Sequence, residues 1–232
     1  MNTADKPECW TRPAVYELYE RPLDGREIEA LSFEAIDREA ASHGFTPDQW
    51  EVVRRMIHTT ADFSLIDSVK FTPDAVEHGI KALRSGSKLF VDSNMMRAGL
   101  SLARLREVYA GYGPDDLVCH VADDDVAVRA SEGGLPRSLY AVRKARPMLE
   151  GSIAAFGNAP VALMELSRLI LEEGLRPALV IAMPVGFVHV VESKEELMCL
   201  DVPYIAVAGR RGGSPLAVSA IHALCSLAIR ET

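Results

Sequence analysis

From residue 88 onward, short apolar segments alternate with longer segments that have helical periodicity. The apolar segments are about 5–8 residues long and several are almost continuously apolar, which favours strands that are buried on both faces. The strands are predicted at 88–92, 116–122, 152–157, 177–184 and 203–209, and the helices that follow them at 123–132, 137–149, 159–173, 192–200 and 214–229.

This alternation of strand and helix indicates a mostly parallel sheet with right-handed crossovers. Ahead of the sheet, three more segments have helical periodicity, at 26–43, 47–60 and 73–85. The predicted fold class is therefore α/β: a doubly wound, mostly parallel sheet of about five strands, with helices on both faces and a helical N-terminal region. We expect an unassigned N-terminal extension at 1–25 and a single domain at 26–232.

Composition narrows the classes of function. The net charge of −8 and the pI near 5.3 argue against binding to a nucleic-acid backbone, which requires a basic surface. The four cysteines lie far apart and lack a metal-binding spacing, so we expect neither a metal site nor a disulfide framework. The sequence lacks the apolar core of a signal peptide and an apolar run long enough for a membrane span, which predicts a cytoplasmic protein without a membrane partner.

Ligands of doubly wound sheets bind beyond the carboxyl ends of the strands. The residues that follow the five predicted strands should therefore converge at one edge of the sheet. They are DSNMM (92–96), ADDD (122–125), GNAP (157–160), PVGF (184–187) and GRRGGS (209–214). Turns are also small and polar for purely structural reasons, so topology alone leaves this interpretation open.

Residues 208–217, AGRRGGSPLA, are the strongest candidate for an anion site. The glycines let the backbone approach a ligand, Ser214 could cap the helix that follows, and Arg210 or Arg211 could bind a carboxylate or phosphate. The alternative is a tight turn with solvated arginines. A nucleotide is weakly supported, because the segment matches neither the P-loop nor the GxGxxG pattern.

Two more helix starts carry polar side chains that could bind an anion. Asn158 lies in GNAP, and Arg137 and Ser138 lie in PRSLYA at 136–141. Both segments are equally typical of helix starts that serve structure alone. The three aspartates at 123–125 cannot share one helical face, so they indicate a helix start rather than a metal site.

His58 is predicted in the last turns of the helix at 47–60, opposite its apolar arc. At 100° per residue this arc contains Trp50, Val52, Val53, Met56 and Ile57. His58 is therefore either a helix-capping residue or an acid or base beside an anionic substrate. No nucleophile motif is present, which favours proton transfer or isomerisation over covalent hydrolysis.

Seven segments occur in the order and spacing of one enzyme family: ALSFEAI (30–36), RRMIHTT (54–60), KFTPDAVEHGIKAL (70–83), PRSLYA (136–141), GNAPVAL (157–163), PVGFVHVVESKEEL (184–197) and AGRRGGS (208–214). Over roughly residues 26–229 the chain resembles the precorrin-8X methylmutases, which include the cobalt-precorrin-8 methylmutases of cobalamin biosynthesis. The resemblance implies a homodimeric isomerase that has no cofactor and moves a methyl group from C-11 to C-12 of a tetrapyrrole.

The resemblance also implies roles for individual residues. His58 would be the proton donor or acceptor, and Ser32 and Arg55 would contact the substrate. The other candidates for substrate binding from the resemblance are Arg137, Ser138, Asn158 and Arg210. Ser214 is added because it could cap the helix at the predicted anion site.

The chain also departs from the family pattern. Where the family commonly has PVGFVGAAESK, this sequence has PVGFVHVVESK, so His189 stands at a usual glycine. His189 is either a second imidazole that lines the pocket or a packed or solvated histidine. A corrinoid carrier, or a diverged relative acting on a related macrocycle, is the alternative to the methylmutase, and a nucleotide-binding domain is a third hypothesis.

Overall fold

The computed structural model describes residues 12–230, which form two compact units that divide between Ala40 and Ala41. Residues 1–11 of the predicted N-terminal extension lie outside this range. The single domain expected over 26–232 stays a prediction. Within the described residues, the helices are α1 (Val15–Glu20), α2 (Gly25–Glu39), α3 (Pro47–Thr60), α4 (Leu65–Ser68), α5 (Ala75–Arg84), α6 (Asn94–Gly99), α7 (Leu102–Val108), α8 (Asp124–Gly133), α9 (Arg137–Leu149), α10 (Pro160–Glu173), α11 (Val190–Met198) and α12 (Ser214–Arg230).

The first unit contains α1 and α2. Helix α2 begins with a capping box, in which the Asp24 side chain accepts from the backbone N–H of Arg26 and Glu27, and the Glu27 carboxylate accepts from the backbone N–H of Asp24. This reciprocal cap fixes where the helix starts, close to the predicted start at 26.

The second unit contains a six-stranded sheet, and its strands are β1 (Val69–Phe71), β2 (Leu89–Val91), β3 (Leu117–Val118), β4 (Ile153–Phe156), β5 (Leu179–Ala182) and β6 (Tyr204–Val207). Their order is β1-β6-β5-β4-β2-β3. Strands β2 to β6 pair in parallel, and β1 pairs antiparallel with β6. The five predicted strands and the mostly parallel sheet are confirmed.

Helices cover both faces of this sheet. On one face, Phe156 of β4 and Val180 of β5 join a buried cluster with residues of α9 and α10. On the other face α5 and α12 pack tightly, since a Cβ at Gly79 would lie 2.9 Å from side-chain carbons of both Leu179 and Leu224. Strands β4 and β5 are completely buried, as their continuous apolar sequences predict.

Helix α3 places the candidate histidine. It begins after Thr46, whose hydroxyl accepts from the backbone N–H of Gln49, and it ends at Ala61, whose φ of 52° lies in the left-handed region. Its buried residues are Val52, Val53, Met56 and Ile57. They are four of the five residues of the predicted apolar arc, and the fifth, Trp50, is half-buried. Their burial turns the opposite side of the helix toward the surface.

Candidate active site

The carboxyl ends of β2 and β4 are joined by the buried carboxylate of Asp92. This carboxylate accepts hydrogen bonds from the backbone N–H groups of Gly157, Asn158 and Ala159, at 3.0, 2.9 and 2.6 Å. Burial raises the pKa of Asp92, and the three hydrogen bonds act in the opposite direction. The turn that carries Asn158 is therefore held in place by a carboxyl group inside the protein.

Ser214 lies at the same edge, as the first residue of α12. Its hydroxyl oxygen lies 3.0 Å from that of Ser93, which follows β2. A Cβ at Gly157 would lie 2.7 Å from the Cα of Ser214, so this glycine lets the end of β4 approach the start of α12. The structure thus brings together three of the five predicted loop ends.

The turn at 209–213 connects to the end of β5 through its backbone. The N–H of Gly186 donates to the carbonyl of Arg210 at 3.3 Å, and the N–H of Gly213 donates to the carbonyl of Met183 at 2.8 Å. The guanidinium of Arg210 is exposed and lies 5.6 Å from the centre of the Phe187 ring. These contacts add a fourth of the five predicted loop ends, 184–187, to the edge.

The two arginines of this turn have different roles. Arg211 forms an ion pair with Asp62 and a hydrogen bond with the hydroxyl of Ser64, both in the segment just after α3. Arg211 therefore ties the C-terminal end of α3 to the turn. Of the pair, Arg210 is the better candidate to meet an anion.

A cavity of about 340 Å³ lies between the end of α3 and the start of α12. Its lining includes Thr59, the residue that follows His58. His58 itself is exposed in the last turns of α3. The lining residues are Thr59, Met95, Gly99, Ser214, Pro215, Val218, Ser219 and His222. Apolar walls with a few hydroxyl and imidazole groups suit a largely apolar ligand with polar substituents.

Arg55 lies one turn before His58 and is partly buried beside α12. Its charge, with that of Arg104 on α7, acts on the thiol of Cys225, although burial raises the pKa of that thiol to about 12. Since α12 also supplies Ser214, a single helix backs both ends of the candidate site.

The contacts described above do not include Ser32, Arg137, Ser138 or His189. Arg137 and Ser138 begin α9, and no described contact joins them to the residues above. Ser32 belongs to the first unit, where its hydroxyl donates to the carbonyl of Ile28 at 2.7 Å. His189 precedes α11 and is exposed, with a φ of 58°.

Lys194 and His222 are candidate site components that sequence reasoning missed, and Asp92 was predicted only as part of the loop end 92–96. The side chain of Lys194 is buried beneath the 209–213 turn, and the Nε2 of His222 accepts from the backbone N–H of Ser101 at 3.1 Å. The only sequence signal for Asp92 was its position directly after a strand. Within residues 12–230, no group of three or more histidine, cysteine, aspartate or glutamate side chains is placed to hold a metal ion, and no helix is long and apolar enough to cross a membrane.

Comparison with known proteins defines the family. Residues 27–227 match the family model for precorrin-8X methylmutase. The cobalt-precorrin-8 methylmutase of Leptospira interrogans is 42% identical over 89% of this chain and 96% of its own length, and that of Priestia megaterium is 44% identical over 88% of each. The crystal structure of a precorrin-8X methylmutase from Thermus thermophilus superposes with a TM-score of 0.82, at 45% identity, and covers 89% of this chain and 98% of that chain.

Fold and relatives together define an isomerase built on a mostly parallel sheet. The chain belongs to the precorrin-8X methylmutase family, whose enzymes act in cobalamin biosynthesis. A tetrapyrrole substrate fits this family.

Proposed function

We propose that this enzyme moves a methyl group from C-11 to C-12 of precorrin-8X or cobalt-precorrin-8, with His58 as the proton donor or acceptor. One observation supports this most strongly. His58 is exposed in the last turns of a helix that Arg211 ties to the arginine- and glycine-rich turn, and the next residue lines a cavity shared with Ser214.

The proposed reaction is a rearrangement, so it needs no cofactor. The bond between the methyl carbon and C-11 breaks, and a new bond forms between the same carbon and C-12. Protonation of the ring system makes this shift electronically easier, and a proton donated by His58 must be returned before the product leaves, because substrate and product are isomers. A side chain that exchanges protons near neutral pH suits this role.

The other predicted residues would hold the acidic macrocycle. Arg210 and Arg55 supply positive charge, and the backbone N–H groups at the start of α12 favour carboxylates. Met95, 67% exposed, and Phe187, 84% exposed, add apolar surface at the same edge. We extend the substrate-contact proposal to Ser32, Arg137, Ser138, Asn158 and Ser214, and we propose a homodimer in the cytoplasm.

The experiment on His58 separates binding from chemistry. We expect His58→Ala to lose at least about 100-fold in kcat while still binding the tetrapyrrole, because the arginines remain. Turnover is followed by the absorbance change from precorrin-8X to the corrin product, and binding by titration with that product. Full activity of the variant would refute the role of His58.

Arg55 tests the binding part of the proposal. Arg55→Ala should weaken binding of the corrin product by about 1.5–3 kcal/mol, the range for a lost hydrogen bond to a charged group. Arg129→Ala, an exposed arginine on α8, is a control that should bind like the wild type. Equal affinity of the Arg55 variant and the control would remove Arg55 from the substrate site.

A corrinoid carrier is the second candidate function, because His189, Val190 and Val191 replace residues that are usual in the family. Assays with both metal-free and cobalt-containing substrate decide between the two candidates. Binding without spectral conversion of either substrate would favour the carrier. Conversion of only one would identify the natural substrate.

A further inference from the structure

Lys194 is a buried lysine beneath the turn that carries Arg210. It lies on α11, and its side chain is fully buried. The ammonium donates to the carbonyl of Gly209 at 2.9 Å and to the carbonyl of Arg211 at 2.5 Å. These two acceptors flank Arg210 on either side.

The burial of this ammonium has a free-energy cost that packing does not explain. Desolvation lowers the pKa of Lys194 to about 8, which shows that its surroundings disfavour the charged form. A methionine of similar length would fill the same volume without this cost. The cost is therefore offset by the hydrogen bonds that the ammonium donates to the two carbonyls, which a methionine could not donate.

Asp92 provides an internal parallel within residues 12–230. Its buried carboxylate accepts from three consecutive N–H groups and fixes the turn that carries Asn158. Lys194 binds carbonyls of the neighbouring turn in the complementary way. These two turns are thus each held from inside by one buried ionisable side chain, and Asn158 and Arg210 are left at the surface.

The remaining contacts of the 209–213 turn show what Lys194 adds. Gly186 binds the carbonyl of Arg210, and Gly213 binds the carbonyl of Met183. A Cβ at Gly212 would lie 2.2 Å from the same Met183 carbonyl oxygen, so the turn packs directly on the end of β5. With Lys194 in place, the carbonyls of three consecutive residues all accept hydrogen bonds, which fixes the direction in which the Arg210 side chain leaves the backbone.

We propose that Lys194 is a positioning residue, whose ammonium holds the backbone on both sides of Arg210 so that this arginine faces a carboxylate of the substrate. The inference rests on the proposed function for the identity of the ligand. The hydrogen bonds from Lys194 to the turn do not depend on the ligand. The two parts can therefore be tested separately.

Hydrogen–deuterium exchange tests the hold on the turn without any ligand. In Lys194→Met, amides of peptides that cover 208–214 should exchange about tenfold faster than in the wild type, since local opening becomes easier, and other regions should be unchanged. Lys81→Met, an exposed lysine on α5, is the matched control and should have no effect. Lys194→Gln keeps donor groups and should lie between the wild type and the methionine variant. Unchanged exchange at 208–214, or faster exchange in the glutamine than in the methionine variant, would overturn the proposal.

Kinetics with precorrin-8X or cobalt-precorrin-8 test the link to Arg210. Lys194→Met should raise KM roughly tenfold and change kcat by less than about threefold, because a misplaced binding group acts on affinity. In an Arg210→Ala background the same substitution should change KM by less than about twofold, since the group it positions is gone. A full tenfold effect in that background would show that Lys194 does not act through Arg210. If the wild-type enzyme converts neither substrate, the proposed function fails, while the exchange experiment still decides whether Lys194 holds the turn.

Discussion

His189 and Ala61 are the two non-glycine residues with positive φ among residues 12–230, at 58° and 52°. Ala61 ends α3, a position where left-handed backbone is common. His189 stands where the family commonly has glycine, and its backbone explains that usage, since a left-handed conformation costs an L-residue about 1–2 kcal/mol. A strained residue at the edge of a proposed site is consistent with a role for its imidazole.

This strain gives a prediction at the scale of one residue. His189→Gly should stabilise the protein by about 0.5–1 kcal/mol in urea unfolding, because glycine adopts positive φ without the steric cost. His189→Ala removes the same imidazole and keeps the strained backbone, so it should not be stabilised. If the imidazole contacts the substrate, both variants should lose affinity equally. A glycine variant no more stable than the alanine variant would show that the backbone stores no strain here.

At the scale of the elements, Asp92 couples β2 to the start of α10. In Asp92→Asn the amide oxygen is a weaker acceptor and the NH₂ group faces N–H donors, so we expect a loss of about 2–3 kcal/mol. Asp201→Asn, in an exposed loop before β6, is the control and should change stability by less than about 0.5 kcal/mol. Denaturant midpoints measure both. Equal stabilities would mean that the three hydrogen bonds contribute nothing net.

The elements also show what a sequence pattern can and cannot predict. The five buried strands and α3 were predictable, because continuous apolar runs and a helical apolar arc are local signals. Strand β1 was missed, since it is three residues long with an exposed Lys70 in the middle, and its pairing with β6 spans more than a hundred residues. The strand predicted at 116–122 is confined to Leu117–Val118, because the chain turns into α8 soon afterwards.

In the candidate site, too, some features were predictable from the sequence and others were not. The convergence of loop ends followed from topology, and it placed Arg210, Asn158 and Ser214 at one edge. The contacts of Asp92 and Lys194 escaped prediction because their partners are backbone groups, which leave no residue-type signal in the sequence. Functional side chains on loops were thus easier to predict than the buried charges that hold those loops.

At the scale of the whole molecule, Glu165 joins two of the helices that cover the sheet. It lies on α10 with its side chain 4% exposed, and it accepts from Arg143 of α9 and from Arg168 of its own helix. Burial alone would raise its pKa, but the hydrogen bonds from Arg168 and Arg143 outweigh burial and lower the pKa below 4.5. The charged form of Glu165 therefore stabilises the packing of α9 on α10.

The lowered pKa predicts how stability depends on pH. Because the folded-state pKa of Glu165 lies below its unfolded value of 4.5, the unfolded chain binds this proton first as the pH falls. The contribution of Glu165 is complete above about pH 4.5 and is lost as the pH falls through the folded pKa. Glu165→Gln should therefore lose about 1–3 kcal/mol at pH 7, the range for a hydrogen bond to a charged group, because the partner arginines are 41% and 34% exposed. The stability of Glu165→Gln should also fall less steeply than that of the wild type below pH 4.5.

Glu172→Gln is the control. Its 64% exposed side chain contacts the same Arg168, and it should lose less than about 1 kcal/mol. Urea unfolding at several pH values measures all three proteins, and parallel pH curves for the wild type and Glu165→Gln would contradict a depressed pKa at this carboxylate.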